Sequence, residues 1–490
     1  MIPKPMTILN VTSDRRRWIA LIVICFGQLM IMLDATIVNV ALPAIQRDLH
    51  YSQANLTWVV NAYLISFGSF VLLAGRAGDL LGRKRVFLGG VFVFTAASVL
   101  CGLAMDPVVL VVARFLQGAG GALSAGVIIA LIVTGFTEPD ERARAMSIFT
   151  LTVAGGGSLG LLAGGLLTQW INWHWIFFIN LPIGLITLFA GRALIEHHEG
   201  LGLKEGVDVI GSILVSAALM LGVYAIVTSA EYGWVSAHTL GFGGTALALL
   251  AAFLWLEARL ENPILPLRIL RIRSLTGASA ARGMLAMGLF TTFFIGALYL
   301  QHVRGYSAFS TGVAFLPHTI ALAAVSLGGS AWMMRRFGPQ RMLALGLVLV
   351  ITALVLLSGA GPHDNYFPRL FVAFALFGIG AGTSFMPLTI IAMAEIPAAD
   401  TGLASGISNL SMQVSGAIGL AAAGTISTDQ TRSLLAQGQS LTNALSGGYQ
   451  LTFMIATACV VVGLLVALTV LRPSRSALVA EPQIELVEAA

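Results

Sequence analysis

Charge is scarce in this chain: of 490 residues only 10% are Asp, Glu, Lys or Arg, against 57% hydrophobic. A soluble core of this length has no room for so much apolar surface, which excludes a water-soluble globular fold. Cysteine is nearly absent as well. Cys25, Cys101 and Cys459 all fall in apolar stretches, and three isolated thiols make neither a disulfide framework nor a metal spacing. The chain has no phosphate loop, no metal-ligand cluster and no nucleophile beside a base, so ATP-driven work and covalent catalysis lack their machinery and no cofactor is expected. Long polar segments are missing too: the longest exterior stretch, Thr428 to Gly448, is far too short for a catalytic domain.

What fills the chain instead is a succession of charge-free runs of about 17 to 25 residues, the length a helix needs to cross a bilayer. We read about fourteen such runs. They lie near Trp18–Leu42, Gln53–Ala74, Val86–Ala104, Pro107–Thr134, Ala145–Gln169, Trp175–Gly191, Val209–Ser229, Thr239–Leu256, Thr276–Leu300, Thr311–Met334, Met342–Ser358, Leu370–Ala394, Thr401–Ser427 and Tyr449–Leu471. The first, following Arg15 to Arg17, imitates a signal peptide, but it is too long and carries Asp34 in place of a small-residue cleavage site.

Short cytoplasmic loops retain Lys and Arg. Threading the spans back and forth puts 21 of the 27 basic residues on one side and 4 on the other, with Arg114 and Arg282 inside spans. Both termini are therefore expected in the cytoplasm, and the protein in the cell membrane. The net charge of +5 follows from this bias and gives no reason to expect a nucleic-acid partner.

The link GRAGDLLGRKRV from Gly75 to Val86 resembles MRRFGPQRM from Met334 to Met342, eight spans later. That spacing fits spans 9 to 14 repeating spans 1 to 6, with spans 7 and 8 inserted. The expected division is a cytoplasmic N-terminus (1–17), a six-helix bundle (18–195), an inserted pair (207–257), a second six-helix bundle (274–472) and a cytoplasmic tail (473–490).

Asp34, in LDATIVNVALP, is the one carboxylate deep inside a span. It lies 8 residues from Leu42, or roughly 12 Å at 1.5 Å per residue. Arg114 lies 7 residues from Pro107, or roughly 10 Å. A charge at that depth costs at least ~2.5 kcal/mol, so two opposite charges at matching depth are expected to pair or to face water. Burial and a neighbouring guanidinium push a carboxylic acid in opposite directions, so changing their balance loads or releases a proton. The bland alternative is a static clip between helices.

In the link between spans 2 and 3, Gly75, Gly78 and Gly82 allow a tight turn at the membrane surface, and Asp79 can meet a basic residue or a helix N-terminus. In span 5, Gly156, Gly160 and Gly164 share one helix face, which admits a neighbouring backbone. The polar residues Gln28, Asn39, Asn61, Tyr63, Gln117, Asn409 and Gln413 are candidates for a substrate cavity, although such residues also simply bond helix to helix. Arg282, two turns into span 9, is expected to snorkel to the interface. His318, beside Pro317, reads as a hydrogen-bonded kink residue.

In combination, LDATIVNVALPAI, GRAGDLLGRKR, RFLQGAGGA, the span 5 glycines and WIFFINLPIG resemble, in order, the motifs of the 14-span drug:proton antiporter family of the major facilitator superfamily. The resemblance covers Arg15 to Arg472. It implies an all-α integral membrane protein of the major facilitator fold, with two six-helix bundles rocking about a central cavity and two extra spans at the side. It further implies proton coupling at Asp34 and Arg114, a conformational latch at Gly75, Asp79, Gly82 and Arg83, and an antiporter motif at Gly156, Gly160, Gly164 and Gly165. Leu80 and Leu161 depart from the family pattern, the latter replacing a proline and so removing the reason for a span 5 kink. His174 and Met412 stand where the family usually has a cation, so an exterior salt bridge and a second-half cation are expected to be missing.

The expected activity is export of lipophilic drugs or related small molecules by antiport with inward proton flow, one proton per cycle, driven by the proton gradient. Expected partners are the substrate, protons and membrane lipid; whether an outer adaptor protein takes part stays open. A dedicated exporter of one endogenous metabolite, siderophore or lipid is the nearest rival, and a membrane enzyme or receptor without a transport cycle is the rival from another class.

Overall fold

The computed structural model describes residues 8–136, 138–196, 209–260, 263, 265, 267–326, 330–396 and 401–471. The linker expected between the first bundle and the inserted pair, and the expected cytoplasmic tail, lie outside the described residues. Sixteen α-helices occur among them. In the first half these are α1 (Ile8–Asp48), α2 (Trp58–Leu81), α3 (Arg83–Gly102), α4 (Pro107–Gly135), α5 (Pro139–Trp170), α6 (Trp175–Phe178) and α7 (Asn180–Leu194). The inserted pair is α8 (Val209–Tyr232) and α9 (Ala237–Glu257). The remainder are α10 (Arg273–Leu298), α11 (Ala308–Ala314), α12 (Leu316–Ala324), α13 (Ser330–Ser358), α14 (Phe371–Met393), α15 (Thr401–Ala436) and α16 (Leu441–Thr469). Ten of the described helical stretches are long and apolar enough to cross a membrane, and the other expected spans fall on α2, α5, α8 and the α11–α12 pair. The chain is a multi-pass, all-α membrane protein.

Several helices begin on a side chain that accepts otherwise unpartnered backbone N–H groups. Asp106 accepts from Val108 and Val109 at the start of α4, with Pro107 in the first turn. Ser236, Ser307 and Ser440 do the same for α9, α11 and α16. At the opposite face, long cations close helix C-termini: Lys84 Nζ donates to the carbonyls of Arg192 and Ile195 at 2.8 and 2.6 Å, and Arg16 to that of Ala193 at 2.8 Å.

The two basic links, from which a repeat was expected, share local geometry and a pattern of helix neighbours. Gly82, between α2 and α3, has φ +95°, and Gly338, inside α13, has φ +74°. Both links therefore turn on a glycine in a conformation that side-chain-bearing residues avoid. Each then leads into a glycine-to-glycine crossing. A Cβ on Gly90 of α3 would stand 2.7 Å from the Gly120 carbonyl of α4, and one on Gly346 of α13 would stand 2.7 Å from the Gly380 carbonyl of α14. The helix neighbours agree as well: α1 packs on α5 and α7 as α10 packs on α15 and α16, and α2 packs on α15 as α5 packs on α11. Of the inserted pair, α8 lies against α2 and α15, and α9 packs on α8.

Some expectations change. The helical hydrogen-bond run breaks at Ile179, between α6 and α7, and at Phe315, between α11 and α12 next to Pro317, although both residues keep helical dihedrals. His318 follows that break as expected, but its Nδ1 makes no hydrogen bond among the described residues; the ring packs on Phe293 and Phe377, at 5.0 and 5.4 Å. Leu161 lets α5 run unbroken. His174 Nε2 is 3.9 Å from Asp48, while the Trp173 indole N–H donates to that carboxylate at 2.7 Å. Burial holds the His174 pKa below the ordinary histidine value, so the indole stands in for the cation whose salt bridge was expected to be missing.

The crossing geometry makes a sharp stability prediction. Gly120→Val puts a side chain onto the α3 backbone and is expected to lower the melting temperature of the purified protein strongly. Gly244→Val, where a Cβ meets nothing within 4 Å, is expected to leave it unchanged.

Candidate functional site

The two intramembrane charges singled out by depth are in direct contact. Arg114 Nη1 lies 2.5 Å from Asp34 Oδ2, and the two residues are 1% and 0% exposed. With such burial, every remaining donor and acceptor needs a partner. Arg114 Nε donates to the Val59 carbonyl of α2 at 2.8 Å, and Nη1 also donates to Gln117 Oε1 at 2.6 Å. Gln117 lies one turn along α4, and its Nε2 reaches Asp34 Oδ1 at 2.7 Å and Ser98 Oγ at 2.8 Å. Asn180, the first residue of α7, donates from Nδ2 to Asp34 Oδ1 at 3.3 Å and to Ser98 Oγ at 3.4 Å.

The guanidinium is also sandwiched by aromatic rings. Its carbon lies 4.5 Å from the Tyr63 ring centroid and 5.7 Å from that of Phe177 in α6. Such contacts stabilise a cation without adding another charge. Five elements besides α1 thus meet at one carboxylate and its guanidinium: α2, α3, α4, α6 and α7. Cys101 closes the cluster, its thiol donating to Gln117 Oε1 at 3.6 Å.

This arrangement redistributes the cavity candidates. Gln117 is engaged by the ion pair, and Tyr63 presents its ring to Arg114 while its hydroxyl makes no hydrogen bond among the described residues. Asn61 is fully buried with neither side-chain atom hydrogen-bonded among the described residues. Asn39 and Asn409 donate to carbonyls of their own helices, Ala35 and Thr36 for the first and Ser405 for the second. Gln28 is buried on α1. Gln413 packs across the halves, its Cβ 2.9 Å from where a Cβ on Gly68 would stand. Asn180, Ser98, Cys101 and Phe177 were missed as site residues; the detectable signal was a polar residue in an otherwise apolar span, at the depth of Asp34.

The span 5 glycines support the helix that carries Asp34. A Cβ on Gly156 would stand 2.8 Å from Met32, on Gly160 2.8 Å from the Leu33 carbonyl, and on Gly164 2.6 Å from the Ile37 carbonyl. Gly165 faces the other half, 2.9 Å from the Ala308 carbonyl by the same measure. Around it, Gly312 of α11 would meet the Leu161 carbonyl at 2.6 Å, Phe309 N–H donates to Gln169 at 3.1 Å, and Trp170 stacks on Phe309. Gln301 also donates to the Val40 carbonyl at 2.9 Å, and Gln53 to Ser427 at 2.7 Å. The two halves are therefore sealed together at the ends of these helices. At the link, Gly75 lies close to Gly126 of α4 and Gly78 to Val127, with the Arg83 side chain beside it. The side chain of Asp79 lies outside the described residues.

Comparison with known proteins fits this geometry. The family model described as Major Facilitator Superfamily matches residues 24–420. The chain belongs to the Major Facilitator Superfamily. It is accordingly a secondary transporter and not an enzyme. It is 37% identical over 425 residues to a puromycin resistance protein of Streptomyces alboniger, covering 86% of this chain and 84% of that one. It is 33% identical to the cephamycin export protein of Amycolatopsis lactamdurans (84% and 85% covered), and 34% identical to a multidrug resistance protein of Mycobacterium tuberculosis (84% and 76%). Among solved structures it resembles the nucleoside transporter NupG, with TM-score 0.65 at 13% identity, covering 93% of this chain and 99% of that one. A bacterial homologue of the lysosomal transporter Spinster gives TM-score 0.64 at 16% identity, covering 96% and 100%. At these identities the structures bear on fold alone.

The ion pair makes a thermodynamic prediction. Arg114→Gln strands a buried carboxylate and is expected to cost about 3–5 kcal/mol of stability, whereas Asp34→Asn combined with Arg114→Gln recovers much of that loss. Equilibrium unfolding of the single and double variants in detergent reads this directly.

Proposed function

We propose that this transporter exports lipophilic antibiotics or related small molecules from the cytoplasm or inner leaflet, in exchange for protons that bind at Asp34. Both termini lie in the cytoplasm, the chain crosses the membrane fourteen times, and the central cavity lies between two six-helix bundles. The relatives whose names record resistance to or export of puromycin, cephamycin and multiple drugs support the substrate class. The observation that carries the coupling is the Asp34–Arg114 contact at 2.5 Å in an apolar interior.

The surroundings suit both charge states of the acid. Ionised, Asp34 accepts from Arg114, Gln117 and Asn180. Protonated, it no longer needs the cation, but Arg114 keeps the Val59 carbonyl, Gln117 Oε1 and two aromatic faces. Proton and guanidinium thus compete for one carboxylate, and protonation leaves Arg114 a buried cation held by neutral acceptors and ring faces, which favours its release from α1. Releasing Arg114 loosens α1 from α4. Since α1 lies in the glycine groove of α5, and α5 seals against α11, a shift of α1 reaches the contact between the halves. Gly75, Asp79, Gly82 and Arg83 would latch the cytoplasmic side of the same cycle.

A second consequence concerns the seal. Gly165→Val is expected to hinder closure between α5 and α11 and to slow export, with substrate binding preserved.

The direct test uses proteoliposomes with an imposed pH gradient, comparing wild type with Asp34→Asn. The wild type is expected to move drug uphill with matching proton flow. The variant should lose uphill movement yet still exchange drug down its gradient. Uphill export by the variant contradicts the assignment, and a carrier that moves one endogenous compound and no unrelated drug favours the dedicated-exporter reading.

A further inference from the structure

Arg282, expected to snorkel to the interface, reaches a side chain of α14. It lies 9 residues into α10 from Arg273, or roughly 13 Å along the axis. Its Nη2 donates to Thr389 Oγ1 of α14 at 2.6 Å. Thr389 in turn donates its hydroxyl hydrogen to the Phe385 carbonyl at 3.0 Å, so it holds one edge of the guanidinium in place as an acceptor. Among the described residues no carboxylate lies within ion-pair distance of Arg282.

Other cations of the chain are satisfied differently. Arg16, Lys84, Arg304 and Arg369 each donate to backbone carbonyls, and Arg114 has Asp34. Among the described residues Arg282 has one neutral hydroxyl for its five N–H donors; it is partly buried, while Thr389 is exposed beside it. A cation held by one edge and open at the other is suited to a bidentate oxyanion. The interior electrostatics favour the same ligand: Asp34 is sealed and paired, so it offers no free carboxylate to a cationic compound, while Arg282 has no carboxylate partner among the described residues.

We propose that Arg282, positioned by Thr389, is a recognition point for a carboxylate, sulfonate or phosphate group on an amphiphilic ligand, favouring anionic and neutral substrates over cations. The assignment rests on the transporter reading for its purpose. It does not rest on proton coupling at Asp34.

Binding is measured with three fluorescent probes of one chromophore: dansylglycine, its methyl ester and dansylcadaverine, carrying negative, neutral and positive charge. The purified full chain is placed in phosphatidylcholine nanodiscs, with and without phosphatidylglycerol. Wild type is expected to bind dansylglycine about tenfold more tightly than the ester, the worth of one charge-assisted pair. Arg282→Gln should abolish that preference without changing ester affinity. Arg282→Lys should keep part of it, and Arg282→Glu should shift the preference to dansylcadaverine. Loss of the preference when phosphatidylglycerol is present assigns the same site to a lipid headgroup, whereas its persistence assigns it to the solute. Equal affinity of wild type for dansylglycine and ester in phosphatidylcholine, or an unchanged preference in Arg282→Gln, overturns the proposal. The assay uses no gradient, so failure of coupling at Asp34 leaves its outcome untouched.

Discussion

A carboxylate and a guanidinium buried together in hydrocarbon impose a condition that the first half of this transporter is built to meet. Removing either charge from water costs several kcal/mol, and their mutual attraction repays this only if the remaining polar atoms are also satisfied. Asp34 and Arg114 meet the condition with an amide from α4, an amide from the start of α7, a carbonyl of α2 and two aromatic faces. The convergence of so many elements on one pair is the reason the proposed cycle couples its protonation state to how α1 rests on its neighbours.

Packing without side chains carries that constraint outward. Four glycines of α5 connect the acid-bearing helix on one face to the opposite half on another, and small-residue crossings recur between α3 and α4 and between α13 and α14. Backbones in close contact transmit small shifts as rigid bodies, with no soft side chain to absorb them. In the proposed cycle the pair is the two-state element and the glycine contacts give it reach. Charge is distributed unevenly between the halves, with a neutralised pair in the first and the open Arg282 in the second.

Much of this was legible in the sequence because membrane spans obey simple arithmetic. A rise of 1.5 Å per residue placed Asp34 and Arg114 at one depth, and the structure brings them into contact. The two basic links suggested the repeat, and Gly82 and Gly338 share the conformation that makes them equivalent. Asn180 and Ser98 escaped because the depth rule was applied to charges alone. For Arg282 a single helix shows how far a side chain can reach toward the interface, but not that Thr389 of α14 stands within that reach. Gln117 was assigned to the cavity because its helix face does not reveal that Asp34 and Ser98 already use its amide.

The central claim is that one carboxylate exchanges its proton when substrate binds. Proton release from the purified transporter, recorded with a pH indicator in weakly buffered detergent solution as drug is added, measures this without a membrane gradient. The account predicts release from wild type and none from Asp34→Asn; equal release from both would contradict it.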